Sequence, residues 1–343
     1  MSAEAGRPVE VWAPPPSGPL EPRREPPTFG VTIAAYEAAA TIAEAVDSVL
    51  AQTYPAAEII VCDDGSTDGT AEVLARYGDA VTVIRQENRG VAAARNVAIA
   101  AARSEFVVNL DADDLFLPNR LELMAAALTD RPDLEVLTTD ATLEVDGRPL
   151  RRNFGPDFRY AVDDRRLAII DRCWVGVDWA TRREVMLAYG GYDEAIRTAE
   201  DWELAIRLVL GGVRFGLVPE PLVRYRLLPG SLSNQGVALL EGQLQALEKT
   251  LANERLDEEE RGAAMAAVER FRAELGRTRL RESLLARSPT LRRDALAVIK
   301  DGDLRWRSRA KAALTWALPG IARRLVARGG SATSGGLRLP VDQ

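Results

Sequence analysis

Three groups of carboxylates stand out among these 343 residues: Asp63-Asp64-Gly65-Ser66-Thr67-Asp68-Gly69, Asp111-Ala112-Asp113-Asp114 and Glu200-Asp201. Adjacent carboxylates repel one another and are costly unless they meet donors or a cation. The first group suits either of two roles. It can cap a strand-to-helix turn, where Asp, Ser and Gly are favoured, or it can accept hydrogen bonds from the base and ribose of a nucleoside. The second is either a solvated acidic turn or a seat for Mg²⁺ or Mn²⁺ bridging to phosphate oxygens. The third either complements a helix N-terminus or supplies a general base.

The sequence contains no histidine. A Ser-His or Cys-His nucleophile and a His-ligated zinc are therefore excluded, and any general base is a carboxylate, Lys, Tyr or Cys. With Cys62 and Cys173 the sole cysteines, a zinc cluster or disulfide framework is not expected. Cys62 closes the apolar run Ile59-Ile60-Val61 and reads as a small buried hydrophobe. The formal net charge of -7 gives no footprint for nucleic acid.

The elements that must position these groups follow from periodicity. Apolar, β-branched runs at Phe29–Ala35, Glu58–Cys62, Ala80–Gln86, Glu105–Leu110 and Leu134–Thr139 predict strands. Helical patterns lie between them at 38–52, 69–77 and 90–102, and Pro118 sits at a favoured first-turn position. Strands alternating with helices imply an α/β fold with a mainly parallel sheet. Ligands bind such sheets beyond the carboxyl ends of the strands, which is where the Asp63 and Asp111 groups fall. Further helices are expected at 165–170, 182–189 and 200–210, and strands at 213–218 and 222–227. From Val237 to about Arg328 the pattern is almost wholly helical, broken near Pro289, Asp301–Asp303 and Pro319. The expected organisation is a proline-rich disordered arm over 1–28, a catalytic domain over 29–235, a helical extension over 236–328 and a flexible tail over 329–343.

Several motifs in order resemble family 2 glycosyltransferases. They are Val31-Thr32-Ile33-Ala34-Ala35-Tyr36, Ser48-Val49-Leu50-Ala51-Gln52-Thr53-Tyr54-Pro55, Asp63 to Thr70, Asn88-Arg89-Gly90, Ala94-Arg95-Asn96, Leu110 to Asp114, Gly190-Gly191-Tyr192-Asp193 and Glu200-Asp201-Trp202. The resemblance implies a GT-A fold, a Rossmann-like nucleotide-binding half joined to an acceptor-binding half. It also implies inverting transfer from a nucleotide sugar, such as a UDP-sugar, to a glycan or lipid-linked acceptor. By position Tyr36, with Ala35 and Glu37, lines the nucleobase; Asp64, with Asp63, binds its edge; Asp111 lies by the ribose and metal; and Arg95 stands on the donor side. Asp113 ligates Mg²⁺ or Mn²⁺, with Asp114 a secondary candidate. Asp201 is the general base, with Glu200 and Trp202 as secondary candidates beside it. Two positions depart from the pattern: Glu37 stands where Asn is common, and Leu228 where many members carry His. Two alternatives share parts of this pattern: a nucleotidyltransferase, which predicts a glycine-rich phosphate loop that 34–40 lacks, and a sugar-nucleotide-binding protein without activity.

No signal peptide is visible at the N-terminus, and Ala312–Ala322 is too short to span a bilayer. A cytoplasmic protein is expected, peripheral on the inner face of the membrane if the tail binds there. In 304–328, Trp306, Ala310, Ala313, Leu314, Ala317 and Leu318 share a helical face bordered by arginines. This face suits an anionic bilayer surface or packing against the rest of the protein, and the helices from Val237 to Ala286 equally suit oligomerisation.

Overall fold

The computed structural model describes residues 10–12, 20–154, 165–171, 173, 175–176, 178–228, 236–302 and 306–329. It forms two compact units, one of residues 1–169 with 173–227 and one of residues 170–172 with 228–343.

The first unit is built on a sheet whose strands run β1 (Glu10–Trp12), β2 (Phe29–Ala35), β3 (Glu58–Asp63), β4 (Thr82–Arg85), β5 (Phe106–Asp111), β6 (Leu115–Phe116), β7 (Val136–Val145), β8 (Arg148–Arg152), β9 (Ala180–Arg182) and β10 (Phe215–Arg226). The spatial order is β1-β10-β7-β9-β5-β2-β3-β4, with β6 beside β10 and β8 beside β7. β2 runs parallel to β3 and β5, β3 to β4, and β7 to β10. The short β9 lies antiparallel between β5 and β7. Continuous apolar runs in β2, β3 and β5 are buried along nearly their whole length, as strands covered on both faces must be. Between them lie α1 (Ile42–Leu50), α2 (Thr70–Leu74), α3 (Val91–Ala101), α4 (Arg120–Asp130), α5 (Arg165–Asp171), α6 (Arg183–Ala188) and α7 (Glu200–Leu210). α1 buries Ile42, Ala45, Val46 and Val49, the stripe its periodicity predicts.

Two expectations change. The strands expected at 213–218 and 222–227 are one strand, β10, whose register against β7 shifts around Pro221. Proline lacks the N–H a regular ladder requires, so the strand bulges there instead of ending. The arm expected to be disordered over 1–28 is structured in part. Glu10–Trp12 pairs with the edge of β10, the Pro27 carbonyl accepts from Tyr54 Oη at 2.7 Å, and Arg23 pairs with Glu105. An edge strand presents unpaired backbone groups, and β1 satisfies three residues of that edge.

The second unit contains α8 (Gly236–Leu251), α9 (Glu258–Leu285), α10 (Leu291–Lys300), α11 (Trp306–Ala317) and α12 (Pro319–Gly329). A break at 252–257, absent from the periodicity reading, ends in a capping box. Asp257 accepts from the Glu260 amide at 2.8 Å, while Glu260 accepts from the Asp257 amide at 3.0 Å. Leu280, Leu284, Leu291, Ala295, Val298, Ala312 and Ala322 form this unit's core. Among the described residues no helix is long and apolar enough to cross a membrane.

Candidate active site

The loops after β2 and β3 are knitted together by side chains. Asp68 accepts from the Ala39 amide at 2.9 Å and from Thr70 Oγ1 at 2.6 Å. Glu37 has a φ of 51°, a conformation that Asn tolerates better than a long side chain. Its Oε1 accepts from the Thr67 amide at 2.8 Å and from Thr67 Oγ1 at 2.9 Å, and its amide donates to Ser66 Oγ at 3.0 Å. Glu37 is thus fastened to the Asp63–Asp68 turn, whereas the Tyr36 ring is open to solvent, at 55% exposure.

Asp63 and Asp64 are both buried. Asp64 Oδ1 accepts from Gln86 Nε2 at 2.6 Å and from the Arg89 amide at 2.9 Å, and Oδ2 accepts from the Gly90 amide at 2.8 Å. Gly90 opens α3, so this carboxylate lies where the helix end favours negative charge. Asp63 Oδ1 accepts from the Ser66 amide at 2.9 Å, while Oδ2 is buried without a hydrogen bond, 3.6 Å from Arg85 Nε. Of the two, Asp63 has the oxygen left over. The turn depends on Gly65, whose φ is +81° and where a Cβ would meet the Asn88 amide nitrogen at 2.9 Å.

The second carboxylate group sits at the end of β5. Asp111, Asp114 and Asp178 each bring one oxygen within 4.8 Å of the others. Asp114 Oδ1 accepts from the Arg226 amide at 2.8 Å, but Asp114 Oδ2 and Asp178 Oδ2 are buried and unbonded. Burial, and then the neighbouring Asp178, hold the Asp114 carboxyl well above the ordinary range. Burial and Asp111 push Asp178 up to about 8, with Arg120 opposing. Two buried oxygens without donors, in a small space shared with a third carboxylate, suit a hard divalent cation, which takes carboxylate ligands of this kind. Arg120 is fully buried nearby, stacked 3.9 Å over the Phe116 ring and donating to the Asp178 carbonyl and, at 3.2 Å, to Thr139 Oγ1. Its Nη1 is buried without a hydrogen bond.

This cluster differs from the sequence expectation. Asp113 does not belong to it; burial and Asp111 push its carboxyl up to about 6, and its carbonyl accepts from Arg226. Asp114, a secondary candidate, does belong. Asp178 is not among the sequence candidates: it precedes a three-residue strand, lies in no motif, and is brought to Asp111 by the antiparallel pairing of β9 with β5. Its φ of 50° is left-handed, a conformation that the short side chain of aspartate adopts more readily than most residues do. No spacing in the sequence announces it.

The third group is tied to the second by Arg95 on α3. Arg95 Nη2 donates to Asp111 Oδ1 at 2.5 Å, and Nη1 donates to Glu200 Oε1 at 2.6 Å. The guanidinium also stands 5.3 Å from the centre of the Tyr192 ring. The next residue, Asn96, clamps the Gly190–Asp193 motif: Oδ1 accepts from the Tyr192 amide and Nδ2 donates to the Tyr192 carbonyl, each at 2.8 Å. Gly191, with φ +68°, allows that approach, since a Cβ there would lie 2.4 Å from Asn96 Oδ1.

α7 opens at Ala199, itself left-handed at φ 62°. Burial pushes the Glu200 carboxyl up to about 7, with Arg95 opposing. Asp201 is also raised by burial, against Arg95. Asp201 Oδ1 accepts from the Trp202 amide at 2.7 Å, and Asp201 has no ion pair among the described residues. Trp202 is a buried anchor, its Nε1 donating to the Ile169 carbonyl at 2.7 Å. Leu228 is half-buried; the rest of its expected loop, Pro229-Gly230-Ser231, lies outside the described residues.

Comparison with known proteins agrees with this architecture. The family model described as Glycosyl transferase family 2 matches residues 31–190. The succinoglycan biosynthesis protein ExoU of Rhizobium meliloti (strain 1021) is 34% identical over 207 residues, covering 55% of this chain but only 58% of its own length. TuaG of Bacillus subtilis (strain 168), named for teichuronic acid biosynthesis, is 30% identical over 213 residues, which are 61% of this chain and 82% of TuaG. The mannosyltransferase PcManGT from Pyrobaculum calidifontis, solved in complex with GDP-Man and Mn²⁺, superposes with a TM-score of 0.57 over 92% of this chain and 84% of its own, at 22% identity. That likeness shows the fold, which is GT-A. The matched motifs and the TuaG alignment together show that the chain belongs to glycosyl transferase family 2.

Proposed function

We propose that this chain moves a glycosyl group from a nucleoside-diphosphate sugar to an acceptor hydroxyl, with inversion, in the synthesis of a polysaccharide or cell-envelope polymer. The observation that carries the reading is Arg95, which joins Asp111 of the metal cluster to Glu200 beside the candidate base. One side chain thereby fixes the spacing between donor and acceptor machinery. The names of ExoU, for succinoglycan biosynthesis, and of TuaG, for teichuronic acid biosynthesis, support the setting. The complex of PcManGT with GDP-Man and Mn²⁺ supports the donor class and the metal.

Asp111, Asp114 and Asp178 would hold Mg²⁺ or Mn²⁺, with Asp113 at their side. The cation, when bound, neutralises charge on the diphosphate leaving group. Asp63, with one oxygen unbonded, accepts from the base or ribose, and the exposed Tyr36 offers a ring for the nucleobase. Asp64 holds the 86–90 loop in place. Asp201 takes the acceptor proton: the ion pair with Arg95 is made by Glu200 and not by Asp201, and burial, against Arg95, makes its carboxylate a stronger base. A positioned base contributes roughly 10²–10⁴-fold. Attack opposite the leaving group inverts the anomeric carbon and requires no covalent enzyme intermediate.

The direct test is a panel of nucleotide sugars with Mn²⁺, read as thermal stabilisation and then as slow donor hydrolysis. Ligand that binds the native state raises its stability. Stabilisation and hydrolysis by one or a few donors are expected. No response to any donor would overturn the reading, and stabilisation without hydrolysis or transfer would reduce the chain to a binding protein.

A further inference from the structure

We infer that α11 and the start of α12 form a docking surface for an anionic lipid bilayer. The packing face of α11 is Ala312 and Thr315, both buried. Helical positions turn about 100° per residue, which puts Trp306, Ala310, Ala313 and Ala317 together on the side opposite that packing face. All four are exposed, Trp306 to 73%. The apolar stripe read from the sequence is therefore not the face that packs; it is left uncovered, and Leu318 and Ile321 extend it at 49% and 48% exposure.

Charge selects the occupant. Between Trp306 and Gly329 there are six basic residues, Arg307, Arg309, Lys311, Arg323, Arg324 and Arg328, and no acidic one, in a chain of net charge -7. Arg307 and Lys311 border the stripe on one side and Arg309 on the other, by the same helical geometry. A second copy of this acidic chain would bring its own basic face against this one if the contact were isologous, and like charges oppose that. A bilayer rich in anionic lipid supplies negative headgroups for the flanks and acyl chains for the stripe. Tryptophan is favoured at that boundary, where its ring meets both environments. The helix is oriented to lie in the interface and is too short and too charged to cross it.

The test is sedimentation of the full chain with vesicles of neutral phosphatidylcholine and with vesicles containing anionic phosphatidylglycerol, at low and high salt. Binding to the anionic vesicles alone, weakened by salt, is expected. The double variant Arg307→Gln/Lys311→Gln should weaken partition at least about 10-fold, since each basic residue at an anionic surface contributes about 1 kcal/mol. Trp306→Ser should weaken it without altering the salt dependence. All three positions are exposed, so helix content by circular dichroism should be unchanged. Arg76→Gln/Arg255→Gln, removing two exposed charges elsewhere, serves as control. An equal fall in the control, or no binding to anionic vesicles, would overturn the inference. So would a dimer in sedimentation velocity that the Trp306→Ser change dissociates, because that assigns the stripe to a second copy.

Discussion

Arg95 and Glu200 lie 105 residues apart in sequence and meet at 2.6 Å, both nearly excluded from solvent. Because the other arm of the guanidinium holds Asp111, its loss strands two carboxylates at once. Breaking a buried ion pair from one side costs about 3–5 kcal/mol. Arg95→Gln is expected to destabilise by about that amount in chemical denaturation. Arg95→Lys should recover part of the stability but little transfer activity, because an ammonium cannot span both carboxylates as a planar fork does.

Asp201→Asn should keep donor affinity and lose transfer by at least about 10²-fold. Glu200→Gln should affect stability more than turnover, since Glu200 is held by Arg95. Turnover under saturating donor, with affinity measured separately, tells them apart. Collapse in Glu200→Gln alone would move the base one residue back.

The pH profile of wild-type turnover follows from the same site. Burial disfavours the charged form of Asp201 and raises its pKa, and the base must be deprotonated to act. Activity is therefore lost as pH falls, with a midpoint above the ordinary carboxylate value of about 4. An acid limb at or below that value would contradict the assignment. The limb should vanish from the residual activity of Asp201→Asn.

Asp178→Asn is expected to weaken Mn²⁺ binding by calorimetry at least about 10-fold while leaving the metal-free melting temperature no lower, because one of three crowded carboxylates is neutralised at constant shape. Asp113→Asn should bind the ion more nearly as wild type does. The reverse pattern would return the cation to Asp113.

Gly190 and Gly191 offer a paired comparison. Both have positive φ, but a Cβ at Gly190 meets nothing within 4 Å whereas one at Gly191 meets Asn96 Oδ1 at 2.4 Å. Gly190→Ala should cost the backbone strain of about 1–2 kcal/mol. Gly191→Ala should cost more and lower turnover as well, since it displaces the clamp that holds Tyr192 beside Arg95. Equal melting temperatures for the two variants would show that the clamp yields freely.

What the sequence revealed and what it hid follow a physical line. The parallel core was legible because its strands are short apolar runs separated by helices, and α7 falls at the expected 200–210. The carboxylate groups were legible because neighbours in sequence share a turn. The motif around Arg95 points to the donor side alone; its second partner, Glu200, depends on tertiary packing. Asp178 was invisible because nothing local distinguishes it, and only pairing with β5 brings it to Asp111. The contacts of Glu37 are hidden for a similar reason: its carboxylate folds back on Thr67, a contact set by two loops that are 30 residues apart.

The three-residue strand β9 carries a further consequence. In the order β7-β9-β5, it is, among the described residues, the ladder that joins β5 to β7, and the amides of Arg182 and Arg183 close its edges on the Glu135 and Glu105 carbonyls at 2.7 and 2.8 Å. β2 to β5 can pair with one another as soon as they are made, but the sheet stays in two pieces until residues 180–182 have left the ribosome. Long-range pairings of this kind are slow and leave strand edges open while they wait. Substitutions in β9 should therefore reduce the yield of soluble protein during synthesis more than they lower the stability of the finished fold, and the strand that delivers Asp178 also sets when the site can first exist.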